Sequence, residues 1–177
     1  MKIFFCLLFT IGLSIGISNC CSHPSLKCKS ASVDSLLFSY EEWLVYNKNG
    51  KIHISLNTDD YIHEIFMEYI GSIYVEGDSI FLIKNEALFG APDSPHGNGS
   101  ITIYKNKSRL GKYIWFDYGF NVWIDNNELC IKNFNKNDLI SDTISIISFD
   151  RGIPRNFIIY PNDAGFGDYI YLDSDIY

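Results

Sequence analysis

The chain has 177 residues, 47% hydrophobic and 16% aromatic, with a formal net charge of −7. That length suits one packed domain of ordinary size. The acidic balance argues against nucleic acid or an anionic membrane surface as partner, because both select clustered Lys and Arg.

Met1-Lys2 supplies one positive charge, and Ile3 to Ile17 follows as an uncharged, largely apolar run. The run is shorter than the roughly twenty residues a membrane-spanning helix needs. It closes abruptly in polar Ser18-Asn19, the pattern of a removable secretory signal over residues 1–19. Ile17-Ser18-Asn19-Cys20 resembles the lipobox of bacterial lipoproteins, with Asn19 standing where a small residue is usual. The resemblance implies a diacylglyceryl thioether on Cys20, which becomes the new N-terminus, and makes Cys21 compatible with the outer membrane. Secretion with cleavage nearby, leaving Cys20 a plain thiol, is the alternative.

Residues 20–32 are polar and aperiodic and read as a flexible tether, with a single β-rich domain over 33–177. The tether lacks the acidic cluster that marks some surface-displayed lipoproteins, so the lipoprotein resemblance implies a periplasmic face. Loss of the signal removes Lys2 and no acid, so the mature chain is one unit more negative than the full one. Cys130 alone of the five cysteines falls inside the domain, which rules out a disulfide framework. It is expected as a buried thiol or as the partner of Cys28.

Along the domain, short runs rich in Ile, Val, Tyr, Phe and Trp alternate with turns. Trp43–Tyr46 and Lys51–Leu56 flank Asn49-Gly50, whose readiness for positive φ predicts a hairpin. Further hairpins are expected around Glu76-Gly77-Asp78, Lys105–Ser108 and Asp125–Asn127, then strands at Thr143–Phe149, Asn156–Tyr160 and Tyr169–Leu172. Thr58 to Tyr69 breaks the rhythm, with a capping residue, two acids, and Ile62, Phe66 and Tyr69 at helical spacing. It predicts one helix near 58–69; Ser32–Ser39 is a weaker candidate for a short second one. The fold expected is mainly β, an antiparallel hairpin meander closing as a sandwich or small barrel.

Few residues point to chemistry. His63-Glu64 begins like a zinc-protease helix, but Met67 stands where the second histidine belongs. On the predicted helix His63 would pair with Asp59, and Asp60, Glu64 and Glu68 would form a solvated ladder of carboxylates. Gly90 to Ser100 reads as a long turn-rich connection in which Asp93 and His96 could touch a ligand. Asn162 to Asp168 gathers acids and glycines without the spacing of a calcium loop. If Ile114 and Phe116 point inward, Tyr113, Trp115 and Trp123 form an exposed aromatic platform suited to sugars or a protein; in the opposite register they are core.

No nucleophile elbow, phosphate loop, dinucleotide fingerprint or Cys-x-x-Cys occurs. No catalytic residue, metal site or cofactor is therefore expected. The reading is a lipid-anchored envelope binding module with a glycan or protein partner. The alternative is an immunity or inhibitor protein that neutralises a toxin or hydrolase in the periplasm.

Overall fold

The structure, a computed structural model, describes residues 33–115, 118–132, 144–159 and 168–174. The signal, Cys20, the tether and Asn162–Gly167 lie outside the described residues.

Helix α1, Val33–Asn47, opens the domain. Leu37, Tyr40, Leu44 and Val45 recur at three and four residues and pack as one stripe on the sheet below. The helix stops where Asn47 Nδ2 donates to the Trp43 carbonyl (2.7 Å) and Lys48 turns left-handed at φ 52°. Asn49-Gly50 therefore ends a helix and is not the turn of a hairpin. The helical stripe outweighs the short β-like run at Trp43–Tyr46.

Among the described residues ten strands follow: β1 Lys51–Ser55, β2 Ile62–Val75, β3 Asp78–Ala91, β4 Ser94–Lys105, β5 Ser108–Trp115, β6 Asn121–Asp125, β7 Glu128–Lys132, β8 Ile144–Ile147, β9 Asn156–Ile159 and β10 Asp168–Ser174. They form two antiparallel sheets, in the orders β1-β2-β3-β4-β5-β10-β9 and β6-β7-β8. β1 to β5 make the expected meander, and β10 returns to slot between β5 and β9. Two of its hairpins turn through residue pairs with positive φ, Glu76-Gly77 and Asn106-Lys107, and so does the β6–β7 hairpin of the small sheet at Asn126-Asn127. That geometry matches the twist of antiparallel strands.

The expected helix at 58–69 is corrected. Ile62 onward is strand β2, paired with both β1 and β3. Ile65 and Met67 are buried at alternate positions, so the period of two prevails over the helical spacing of Ile62, Phe66 and Tyr69. Thr58 caps no helix; it exchanges backbone hydrogen bonds with Tyr61 in the β1–β2 turn. Glu64 and Glu68 face His53 and Lys51 across β1 and do not climb a helix. The expected long connection at 90–100 is also a tight hairpin, since Ala91 pairs with Ser94 and residues 94–99 belong to β4.

Two cores lie on opposite faces of the large sheet. Ile80 and Leu82 of β3 pack with Ile101, Ile103, Tyr113 and the small sheet's Leu129, Ile131 and Ile147. Phe81 and Ile83 face the other way, towards Leu44 and Val45 of α1. One bulge lets β2 serve both. Tyr69 pairs with Ile83 and Gly71 with Leu82, leaving Ile70 as the extra residue. The parity then reverses, so Ile65 and Met67 meet the helix while Ile73 and Val75 meet the small sheet. Asn127 ties the small sheet to β2, accepting from Tyr74 N–H (2.6 Å) and donating to the Tyr74 carbonyl (2.9 Å). The result is a helix-capped β-sandwich. Among the described residues, no helix is long and apolar enough to cross a membrane.

Candidate functional site

Between the first turns of α1 and the sheet lies a cleft of about 440 Å³. Strand register lays out its floor in rows. Ile65, Ala87 and Asn98 stand side by side across β2, β3 and β4, and the next row is Met67, Asn85 and Ser100. Thr102 and Lys112 pair across β4 and β5 one row further. Leu37, Phe38 and Glu41 of α1 form one wall, and His63 lies at the far end.

Glu41 anchors this wall. It sits in the apolar stripe of α1 and is only 6% exposed. Its Oε1 accepts from Asn85 Nδ2 (2.8 Å) and Thr102 Oγ1 (3.0 Å), and its Oε2 from the Tyr104 hydroxyl (2.7 Å). Arg109 Nη1 stands 3.9 Å from Oε2. Asn85 Nδ2 also donates to Thr102 Oγ1 (2.8 Å), while Asn85 Oδ1 is buried without a hydrogen bond. A buried carboxylate needs such donors to offset its lost hydration. Held by three of them, Glu41 fixes its neighbours in place and leaves the cleft a rigid polar floor.

Burial, and next the Glu41 charge, push the Tyr104 phenol far above its ordinary value of 10.0. Burial alone raises that of Tyr113. A raised folded-state pKa contributes stability that is fully present below the ordinary value and lost as pH rises through the folded one. Stability should therefore fall above about pH 10 as both phenols are forced to ionise. The urea midpoint of Tyr104→Phe should decline less steeply than that of the wild type between pH 9 and roughly 11.

A second hollow, about 320 Å³, opens on the opposite face beside Tyr118. Its charges are already paired, Lys51 with Glu68 (2.8 Å) and Lys84 with Glu86 (3.0 Å). His53 stacks on Phe66 with centroids 4.3 Å apart.

The residues singled out in the sequence do not converge. Tyr113 is fully buried, packs edge-on to Phe157 and donates to the Pro154 carbonyl, because Ile114 and not Tyr113 takes the outward face. The expected platform is therefore corrected at its first member. Trp115 ends β5 opposite Gly99. Trp123 is half-buried on β6, between Val122 and Ile124, which turn to the core. Asp93 and His96 are exposed at the β3–β4 turn, with the His96 ring 6.4 Å from Phe89. His63 and His96 flank Phe89 in one row, so His63 belongs to the cleft's end and not to a pair with Asp59. Cys130 is a buried free thiol on β7, its pKa raised by burial and by Asp125 and Glu128. No metal-binding cluster of His, Cys, Asp or Glu occurs among the described residues.

Sequence reasoning missed Glu41, Asn85, Thr102, Tyr104 and Arg109. One signal was available, an acidic residue inside the apolar stripe of Leu37, Tyr40, Leu44 and Val45. It missed also an exposed aromatic pair, Tyr169 and Tyr171 on β10.

The fold and cleft together define an antiparallel β-sandwich, helix-capped, with a polar cleft on the helix side of its larger sheet. No family model, curated protein or solved structure matches this chain.

Proposed function

We propose that this protein is exported, anchored to the envelope through a lipid on Cys20, and acts there as a non-enzymatic binding module whose ligand occupies the α1–sheet cleft. The observation that carries the reading is the pre-built cleft, its polar floor fixed by the Glu41 network. Concave, preformed sites with a few oriented polar groups are where small ligands and chain ends are held. The tether over 20–32 and the signal-like residues 1–19 supply the setting, with the domain facing the periplasm from the outer membrane.

The test uses the exported protein purified from cells, presented to isolated envelope glycans and envelope proteins. Ser100→Trp, which fills the cleft floor, should weaken the bound component at least about tenfold, a loss of roughly 1.4 kcal/mol. A wild-type protein that binds nothing, or a Ser100→Trp variant that binds equally well, removes the reading. Palmitate labelling that disappears in Cys20→Ser checks the anchor separately.

The inhibitor or immunity reading draws on one feature of its own. The β1–β2 turn and the β3–β4 turn project from the same end of the sheet, and they bring Asp59, Asp60 and Asp93 together with exposed Tyr61. An acidic prow of this kind steers onto a basic active site. Cells lacking the gene should then be more sensitive to a toxin encoded beside it; equal sensitivity removes this second reading.

A further inference from the structure

We propose that the cleft and the tyrosine pair on β10 form one continuous groove that takes a neutral oligosaccharide, a proposal that rests on the binding-module reading and names its ligand class. Continuity follows from register. Ser100 on the cleft floor pairs with Ile114. Their neighbours Ile101, Tyr113 and Leu172 lie in or against the core, and Tyr113 pairs with Leu172. Alternation therefore turns Ile114 and Tyr171 to the opposite face, which is the face of the cleft. From Asn85 on β3 to Tyr171 on β10 the floor crosses β4 and β5, a span of about 14 Å. That is the reach of a short oligosaccharide.

The chemistry along this path changes in the order a sugar chain requires. Tyr169 and Tyr171 are 60% and 62% exposed, with ring centroids 6.2 Å apart and planes within 25° of parallel. Two near-parallel, stacked rings on one strand offer exposed apolar surface to the C–H side of a sugar ring, with a hydroxyl on each rim. Ile114, 38% exposed, extends this apolar ledge towards the cleft. Asn98 and Ser100 then offer uncharged groups to hydroxyls.

Charge selects a neutral chain. Lys112 stands across from Asp173 between β5 and β10, so the middle of the groove is balanced in sign. The protein's own net charge of −7 opposes an anionic polysaccharide. A peptide adding a strand would need a sheet edge, and β10 lies inside the sheet, pairing with β9 through Asp168–Tyr171 and with β5 through Leu172–Ser174.

The probe is a ladder of neutral β-linked N-acetylhexosamine oligosaccharides, disaccharide to hexasaccharide, titrated onto the exported protein by calorimetry. Affinity should rise with length until the chain covers cleft and ledge. Tyr169→Ala with Tyr171→Ala should return the longest chain to the affinity of the disaccharide, about tenfold weaker, while Tyr169→Phe with Tyr171→Phe keeps most of the gain. Both side chains are largely exposed, so unchanged thermal unfolding should accompany the loss. Length-independent binding, or a double alanine variant that binds as wild type, overturns the groove and leaves the cleft standing. Binding of an envelope protein but of no oligosaccharide overturns the ligand class while the binding module survives. Binding of neither overturns both.

Discussion

Glu41→Ala should destabilise the protein by about 3 kcal/mol, read as a lower urea midpoint with unchanged slope. The side chain is buried and holds Asn85, Thr102 and Tyr104 at 2.7–3.0 Å. Alanine leaves those donors facing a void, and each buried donor without a partner costs about 1–3 kcal/mol. Water entering through the cleft offsets part of that cost, which places the expected value near the bottom of the summed range. Arg109 adds little, because its guanidinium lies 3.9 Å away and keeps about a quarter of its exposure. Replacing the network as a unit, with Glu41→Leu, Thr102→Val and Tyr104→Phe, should recover most of the loss, since an apolar set of similar volume needs no donors. The triple variant should nevertheless bind poorly, because Asn85 and the cleft floor lose their fixed geometry. A Glu41→Ala protein within about 0.5 kcal/mol of wild type would mean that the carboxylate supports nothing.

That network also shows why so little of the site was legible in the sequence. Its members come from four elements, at positions 41, 85, 102, 104 and 109, and only sheet register brings them together. A carboxylate in a helical stripe is a local signal, but it appears only once the helix itself is recognised, and Asn49-Gly50 disguised that helix as a hairpin. The meander was legible because its turns carry their own chemistry. Glu76-Gly77 and Asn106-Lys107 take the positive φ that a tight hairpin needs. Thr58 to Tyr69 misled because its apolar residues satisfy two periods at once. Strand pairing on both sides decided between them, and pairing is not local. Tyr113 shows the same limit. Alternation separated it correctly from Ile114, but which of the two faces inward depends on the Leu110 bulge in β5 and on the small sheet that covers Tyr113.

Gly97→Ala should cost about 2–3 kcal/mol, more than its exposure suggests. Gly97 pairs with Leu88 in the β3–β4 hairpin, and its missing side chain leaves room for Tyr118. A methyl group there would overlap Tyr118 Cβ and lie 2.9 Å from its Cγ. The clash is with the root of the side chain, so no rotamer of Tyr118 relieves it, and the Tyr118-Gly119 segment must shift. Gly119 N–H then loses its 2.8 Å hydrogen bond to Glu86, and the edge contact between Tyr118 and Phe66 opens. Gly71→Ala makes a useful contrast. Its added methyl meets the terminal carbon of Ile124 at 2.8 Å, which can swing aside, so the cost there is mainly that of φ +146°. Gly152→Ala, at φ +96° with open space around it, should cost only the backbone strain, about 1 kcal/mol. Tyr118 gives an independent readout. Its pKa is raised by burial and then by Glu86 and Glu64, so release from the sheet in Gly97→Ala should lower it towards the ordinary 10.0 in a spectrophotometric titration. If the three glycine variants lose equal stability and Tyr118 titrates unchanged, the packing of Tyr118 on Gly97 contributes nothing beyond backbone strain.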